Sequence, residues 1–565
     1  MPFPQEFEMS KSAAEILARE NKGRPPVQIW GAGALVSSMH PQATLAAADI
    51  LKQGGNAIDA AIGLGAAISV TNPDWCGLGG DSAWLIYFVD AKQCFYADGY
   101  SKCPAKMTAE VLEKHFALDP KKNSGAYHAE PAGHRDIGIV TAMIPGTPAL
   151  WGRIWERFGR LPFQKILDPA IDLAENGFPI NRYLAQQFDD KGRKKLGGFQ
   201  SSRKIFLKPN GDILGEGETL VQKDLAQTLR RLAGGRQSEF YQGDTARSIV
   251  DYSSSHAGLF TLADFQHFDV SWGPTYSGKY RGVEIVTSGP PTSGIHLLQA
   301  MNILESFPLE TMGYHSAESL HVMIEALKIA RSDRRRFAGD PAFLHIPVQN
   351  LLDKNYAREK AQWIQPGVSR CAAPGKESTE DSTTHFVVRD KDGNIVSGTQ
   401  TIGSVFGCGE VVEGTGILLN DRTWWMALQE GPNRVEAGHK ANIGHSPAIL
   451  LSQGKPFMAL GSPGGDGIIQ YVTQTIVNTI DYGLNIQEAI EAPRFRSLDL
   501  CSQVNMEKRI EENVRTRLKS WGHNIVDYPE WTSSVGAVEG FMVNLETGNV
   551  MGGYDPRRNS MAMGV

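Results

Sequence analysis

An α+β fold is what the sequence predicts, on three observations. Thr384 to Arg389 and Ile395 to Thr401 form a β-hairpin pattern around an Asp-Gly turn. Residues 140–340 are mostly helical in spacing and capping. Strand-like runs, Ala83 to Phe88 and Thr275 to Pro291, interrupt the helical parts. With 41% apolar and 21% charged residues, the 565-residue chain has ordinary globular composition and is too apolar to be disordered. Its 56 basic and 62 acidic residues leave a net charge of −6, which argues against a protein that mainly grips nucleic acid. The longest apolar run, Ala57 to Thr71, is broken by Asp59, Gly63, Gly65 and Ser69 and is too short for a membrane span. Glycine is in excess, at 60 residues, which points to tight turns and close backbone approaches.

Residues 1–29 read as a polar arm with one short helix, Ser12 to Glu20. The arm lacks the basic start and apolar stretch of a secretory signal, so a cytoplasmic location is expected. From Ile29 the globular pattern begins. A helix pair follows: Gln42 to Gln53 stops at Gly54-Gly55, and Asn56 caps a second helix that Pro73 ends. Gly31-Ala32-Gly33 lacks the third glycine of a dinucleotide loop. Cys76 to Ser82 is turn-rich and leads into the first apolar strand. Pro145 to Pro148 opens a helix, and Leu161-Pro162 separates it from the next. Another long helix runs from about Ser316 to Arg336. Two basic clusters, Lys191 to Lys195 and Arg334 to Arg336, read as solvated helix faces. The six cysteines, 76, 94, 103, 371, 408 and 501, contain no C-x-x-C pair and read as scattered free thiols, with no disulfide framework or zinc site. No motif suggests a metal or an organic cofactor.

One junction carries more information. Arg370 to Asp381 is small, polar and charged, which marks an exposed flexible segment. It runs into Ser382-Thr383-Thr384 at the start of the hairpin. A threonine hydroxyl becomes a nucleophile when a base lies within hydrogen-bond reach, and cutting the preceding peptide bond turns its own α-amino group into that base. Further on, Gly461 to Gly467 precedes an apolar helical stretch, Ile468 to Tyr482. Glycine N–H groups at a helix mouth can hold a negative oxygen. Taken singly, each feature is better explained as ordinary turn chemistry and β-propensity.

Taken together, these residues resemble the γ-glutamyltransferase family of N-terminal-nucleophile hydrolases. The likeness rests on Thr383 to Phe386, the turn Asp390 to Asn394, Thr415 to Asn420, Gly461 to Gly465 and Asp481 to Asn485. Upstream it includes Gly54 to Ala61, Pro145 to Thr147, Tyr280 to Gly282 and Pro290 to Gly294, and it ends at Asp555 to Arg558. It covers about residues 30–565. It implies a four-layer αββα sandwich, with two antiparallel sheets between helix layers. It also implies a precursor that cuts itself between Ser382 and Thr383, giving a heterodimer of residues 30–382 (with the arm) and 383–565. Thr383 matches the family nucleophile and Thr401 the threonine that bonds it. Gly464 and Gly465 match the oxyanion pair.

The acyl pocket departs from the family. The arginine that holds the α-carboxylate falls on Tyr100, and the asparagine after the second threonine on Gly403. The groups that hold the α-amino end fall on Arg422 and Trp425, and the serine pair on Ile443-Gly444. Arg422 would repel an ammonium and could hold a carboxylate. The expectation is therefore an amidohydrolase with a threonyl acyl-enzyme. Its substrate would be a small amide bearing a carboxylate but no α-amino group, with neither nucleic acid nor membrane as partner. A true γ-glutamyl hydrolase or transpeptidase, and a non-catalytic binding protein on the same fold, are the alternatives.

Overall fold

The computed structural model describes residues 11–23, 27–116, 136–370, 383–498, 501 and 503–565. Two seven-stranded antiparallel sheets form the centre. The first runs, in spatial order, Ile29–Gly31, Val550–Gly553, Glu539–Val543, Lys455–Gly461, Ala448–Ser452, Val283–Ser288, Thr275–Tyr280. The second runs Met561–Gly564, Leu35–Ser38, Thr384–Arg389, Ile395–Thr401, Asp81–Phe88, Gln93–Gly99, Ser271–Gly273.

Strand alternation assigns the layers. In the second sheet Leu35, Leu85, Val387 and Ile395 face Ile449, Ala459, Phe541 and Val550 of the first. Their chain neighbours Val36, Ile86, Val388 and Val396 point the other way, onto helices Pro41–Lys52, Ala57–Thr71 and Phe163–Asn176. On the far side, Ile285, Leu450, Met458 and Leu460 meet helices Gly294–Leu304, Ala317–Phe337 and Ile468–Ile480. The period-two pattern of each strand thus buries both faces, and the result is the expected αββα sandwich.

Several elements lie where local chemistry puts them. Asn56 closes a capping box with Asp59 and starts Ala57–Thr71, which is buried along its whole length. Ser316 caps Ala317–Phe337 by accepting from the Ser319 N–H at 3.0 Å. The hairpin pairs Thr384 with Gln400 through to Arg389 with Ile395, in the expected boundaries. Its turn does a second job. Asp390 Oδ1 accepts from the N–H groups of Gly393 and Asn394, while Oδ2 accepts from Ala57 N–H at 2.8 Å. The carboxylate therefore also sits at the N-terminus of the central helix, where the helix dipole favours it.

Three expectations need correcting. Lys195 and Arg334 are not on solvated faces. Lys195 is buried against Asp136 and Asp421, and Arg334 against Asp466. Their neighbours Arg193, Lys194 and Arg336 are exposed. Cys76, Cys94, Cys103 and Cys408 are buried free thiols, but Cys501 is disulfide-bonded. Cys371, Ser382 and most of the polar segment lie outside the described residues. Among those residues no helix is long and apolar enough to cross a membrane.

Candidate active site

Thr383 precedes strand Thr384–Arg389 by one residue and is 4% exposed. Its hydroxyl donates to Thr401 Oγ1 at 3.3 Å, at the end of the neighbouring strand. Gly403 N–H donates to the same oxygen at 3.0 Å. The hairpin register brings this about: pairing Thr384 with Gln400 sets Thr383 beside Thr401. Gly403 has φ +104°, and a Cβ there would lie 1.8 Å from Asp421 Oδ1. Only glycine fits at that spot. Asp421 in turn accepts from the Ser404 N–H and hydroxyl, and Lys195 Nζ bonds Ser404 Oγ at 2.6 Å. A buried lysine thus clamps the loop after Thr401.

The glycine turn comes from the other sheet. Strand Lys455–Gly461 ends with Gly461 against the imidazole of His385, two residues beyond Thr383. Burial alone lowers the His385 pKa to about 3, so the ring is neutral. Gly464 and Gly465 then take positive φ, +128° and +51°, and helix Ile468–Ile480 follows. Neither glycine N–H donates to another group among the described residues. Two open donors at a helix mouth are what a developing oxyanion requires. Gly444 lies against this turn, since a Cβ on it would meet the Gly465 carbonyl at 2.0 Å.

Arg334 holds these parts together. Its Nη1 donates to Asp466 Oδ1 at 2.6 Å, next to the glycine pair. Its Nε donates to Ser293 Oγ at 2.7 Å, and Ser293 bonds the carbonyls of Ile443 and His445. Sequence reasoning missed the ties of Arg334 to Asp466 and of Lys195 to Asp421, because each pair is widely separated along the chain.

The remaining expected residues gather nearby. Asp81 is the strand partner of Thr401. Arg422 Nε donates to Asp81 Oδ2 at 2.7 Å, and both side chains are 1% exposed. The charge that the sequence alone offers to a substrate carboxylate is thus taken by Asp81. Tyr100 OH lies 2.7 Å from His445 Nδ1. Trp425 is buried in an apolar cluster with Tyr96, Tyr100, Met143 and Ile443. Metal-ligand side chains come together elsewhere, at His321, Glu325 and His523. There Lys328 Nζ sits 2.8 Å from Glu325 Oε1, and a buried ammonium opposes a second cation.

Residues 43–565 match the family model described as gamma-glutamyltranspeptidase. The glutathione hydrolase proenzyme of Escherichia coli is 34% identical over 541 residues, covering 93% of this chain and 90% of that protein. The acylase ACY 1 proenzyme of Pseudomonas sp. is also 34% identical, over 90% of each chain. The crystal structure of cephalosporin acylase from Bacillus halodurans superposes with a TM-score of 0.85 at 27% identity, covering 96% of this chain and 97% of that one. The chain belongs to the gamma-glutamyltranspeptidase family and is an amidohydrolase of the N-terminal-nucleophile type.

Proposed function

We propose that the chain cuts itself between Ser382 and Thr383 and that Thr383 then hydrolyses a small amide. The observation that carries this is the junction of Thr383 and Thr401, 3.3 Å apart, with the unused N–H groups of Gly464 and Gly465 on the facing sheet. The proenzyme names of the relatives support the self-processing part. In the reaction Thr383 Oγ attacks the amide carbonyl. The freed α-amino group takes the hydroxyl proton and passes it to the leaving amine. The N–H groups of Gly464 and Gly465 hold the carbonyl oxygen while it is negative. Water, deprotonated by the same amine, then releases the acid. Thr401 aims the nucleophile, and Gly403 N–H fixes Thr401 in turn.

Intact mass under reducing, denaturing conditions tests the reading. In proportion to 382 and 183 of the 565 residues, the 61.7 kDa chain should give pieces of roughly 42 and 20 kDa. The smaller should begin at Thr383, and Thr383→Ala should stay whole and inactive on amides. A Thr383→Ala protein that is still cut at this bond would sink the assignment. The acylase relatives favour a non-standard acyl pocket, whereas the glutathione hydrolase relatives favour γ-glutamyl amides. The Asp81–Arg422 pair supports the former, because it offers no free charge to an amino-acid head.

A further inference from the structure

Beside Thr401 lies a buried polar cluster with open valences. Asp81 Oδ2 accepts from Arg422 Nε and from Ser101 N–H, at 2.7 and 3.3 Å. Tyr100, next in chain to Ser101, reaches His445 Nδ1. All five residues are at most 1% exposed. Among the described residues, four of their atoms have no hydrogen-bond partner: Arg422 Nη2, Asp81 Oδ1, Ser101 Oγ and His445 Nε2. Leaving one such buried atom unpaired costs about 1–3 kcal/mol, so a bound group that pairs with all four would be favoured here.

The chemistry of these atoms describes that ligand. Burial and the Asp81 carboxylate push the Tyr100 phenol up, so it keeps its proton. Burial, with Arg422 close by, holds His445 neutral. The phenol then donates to Nδ1, and Nε2 carries the N–H. Arg422 and His445 thus offer two donors, Asp81 offers an acceptor, and Ser101 offers either. Formal charge is already balanced, Arg422 by Asp81 and Arg334 by Asp466. A bare carboxylate would bring an uncompensated buried charge. A zwitterionic head would bring two more ions, and its ammonium has three donors for one open carboxylate oxygen and one hydroxyl. A carboxamide matches without charge: its oxygen accepts from Arg422 and His445, and its N–H groups donate to Asp81 and Ser101. The apolar neighbours Trp425, Met143 and Ile443 suit a hydrocarbon body.

We propose that this cluster is the acyl-recognition subsite and that it selects acyl groups ending in an uncharged donor–acceptor head, such as a carboxamide, over those ending in a carboxylate or an α-amino acid. The inference rests on the amidohydrolase reading above. The test uses the self-cleaved enzyme and four p-nitroanilides of similar acyl length: ω-carbamoylbutanoyl, glutaryl, γ-glutamyl and pentanoyl. The carbamoyl compound should have the highest kcat/KM, by about tenfold or more over the others. In Tyr100→Phe and His445→Phe, its ratio to the pentanoyl compound should fall toward one. Tyr100→Phe removes a single oxygen, so it keeps the test valid if His445→Phe fails to fold. Fastest turnover of the glutaryl or γ-glutamyl anilide would overturn the inference and leave the amidohydrolase standing. An unchanged ratio in Tyr100→Phe would also overturn it. Turnover of none of the four by the self-cleaved enzyme would overturn the amidohydrolase reading itself, and the inference with it.

Discussion

Single residues here do work that only one side chain, or none, can do. Gly464 combines φ +128° with a tyrosine ring 2.5 Å from where a Cβ would stand. Gly464→Ala should tilt the proposed oxyanion donor away and lower kcat by on the order of 10²-fold or more, as steady-state assays of the self-cleaved variant would show. His385 makes a different prediction. Its folded pKa of about 3 lies below the unfolded value of 6.5, so above pH 6.5 it contributes no pH dependence. Below that, the unfolded chain takes up a proton that the folded chain refuses. Stability is then lost as pH falls, by about 1.4 kcal/mol per pH unit until the folded ring titrates. His385→Asn should flatten the pH slope of urea stability between about pH 6 and 4 by that amount. The measurement is cleanest in an uncut Thr383→Ala background. An unchanged slope would mean that the ring is not buried neutral.

At the scale of elements, ion pairs tie helices to the strands that carry the chemistry. Arg334 joins helix Ala317–Phe337 to the glycine turn through Asp466. Arg334→Met should cost about 3–5 kcal/mol, because Asp466 would stay buried while losing its guanidinium counter-charge. The double variant Arg334→Met with Asp466→Asn should lose clearly less than the two single losses added, as a double-mutant cycle by urea denaturation would measure. The sequence made some elements readable and hid others, for physical reasons. The hairpin was legible because its turn chemistry is local, and so was the helix that Asn56 caps. Strands Ala448–Ser452, Lys455–Gly461, Glu539–Val543 and Val550–Gly553 sit inside a covered sheet, are buried on both faces, and show no alternation to read. The helix face on which Arg334 lies could not be assigned without its partner, because Asp466 is 132 residues away in sequence. Among the site residues, turn-and-strand chemistry drew notice to Ser382-Thr383-Thr384 and to the glycine turn, but the roles proposed for Thr383, Gly464 and Gly465 rest on the family resemblance. Asp81, which decides what Arg422 can bind, emerges only from strand register.

On the scale of the whole molecule, the proposed cut would divide the chain but not the fold. Each sheet takes strands from both sides of Thr383. The first combines Ile29–Gly31, Thr275–Tyr280 and Val283–Ser288 with four later strands, and the second combines four earlier strands with three later ones. Native mass should therefore give particles that hold both pieces, at about 62 kDa or a multiple of it, when denaturing conditions give two pieces. Residues 383–565 expressed alone should not fold, as judged by near-ultraviolet circular dichroism. A stable isolated piece would show that the shared sheets are dispensable. The strand order also sets a clock. Leu35–Ser38 lies between Thr384–Arg389 and Met561–Gly564, so a strand made among the first is enclosed by one made among the last. At 5–20 residues per second, roughly half a minute to two minutes of synthesis separates them. A nascent chain on the ribosome therefore holds Thr383 beside an unfinished sheet, and the sheet that carries the proposed nucleophile is complete only once translation has passed its last strand.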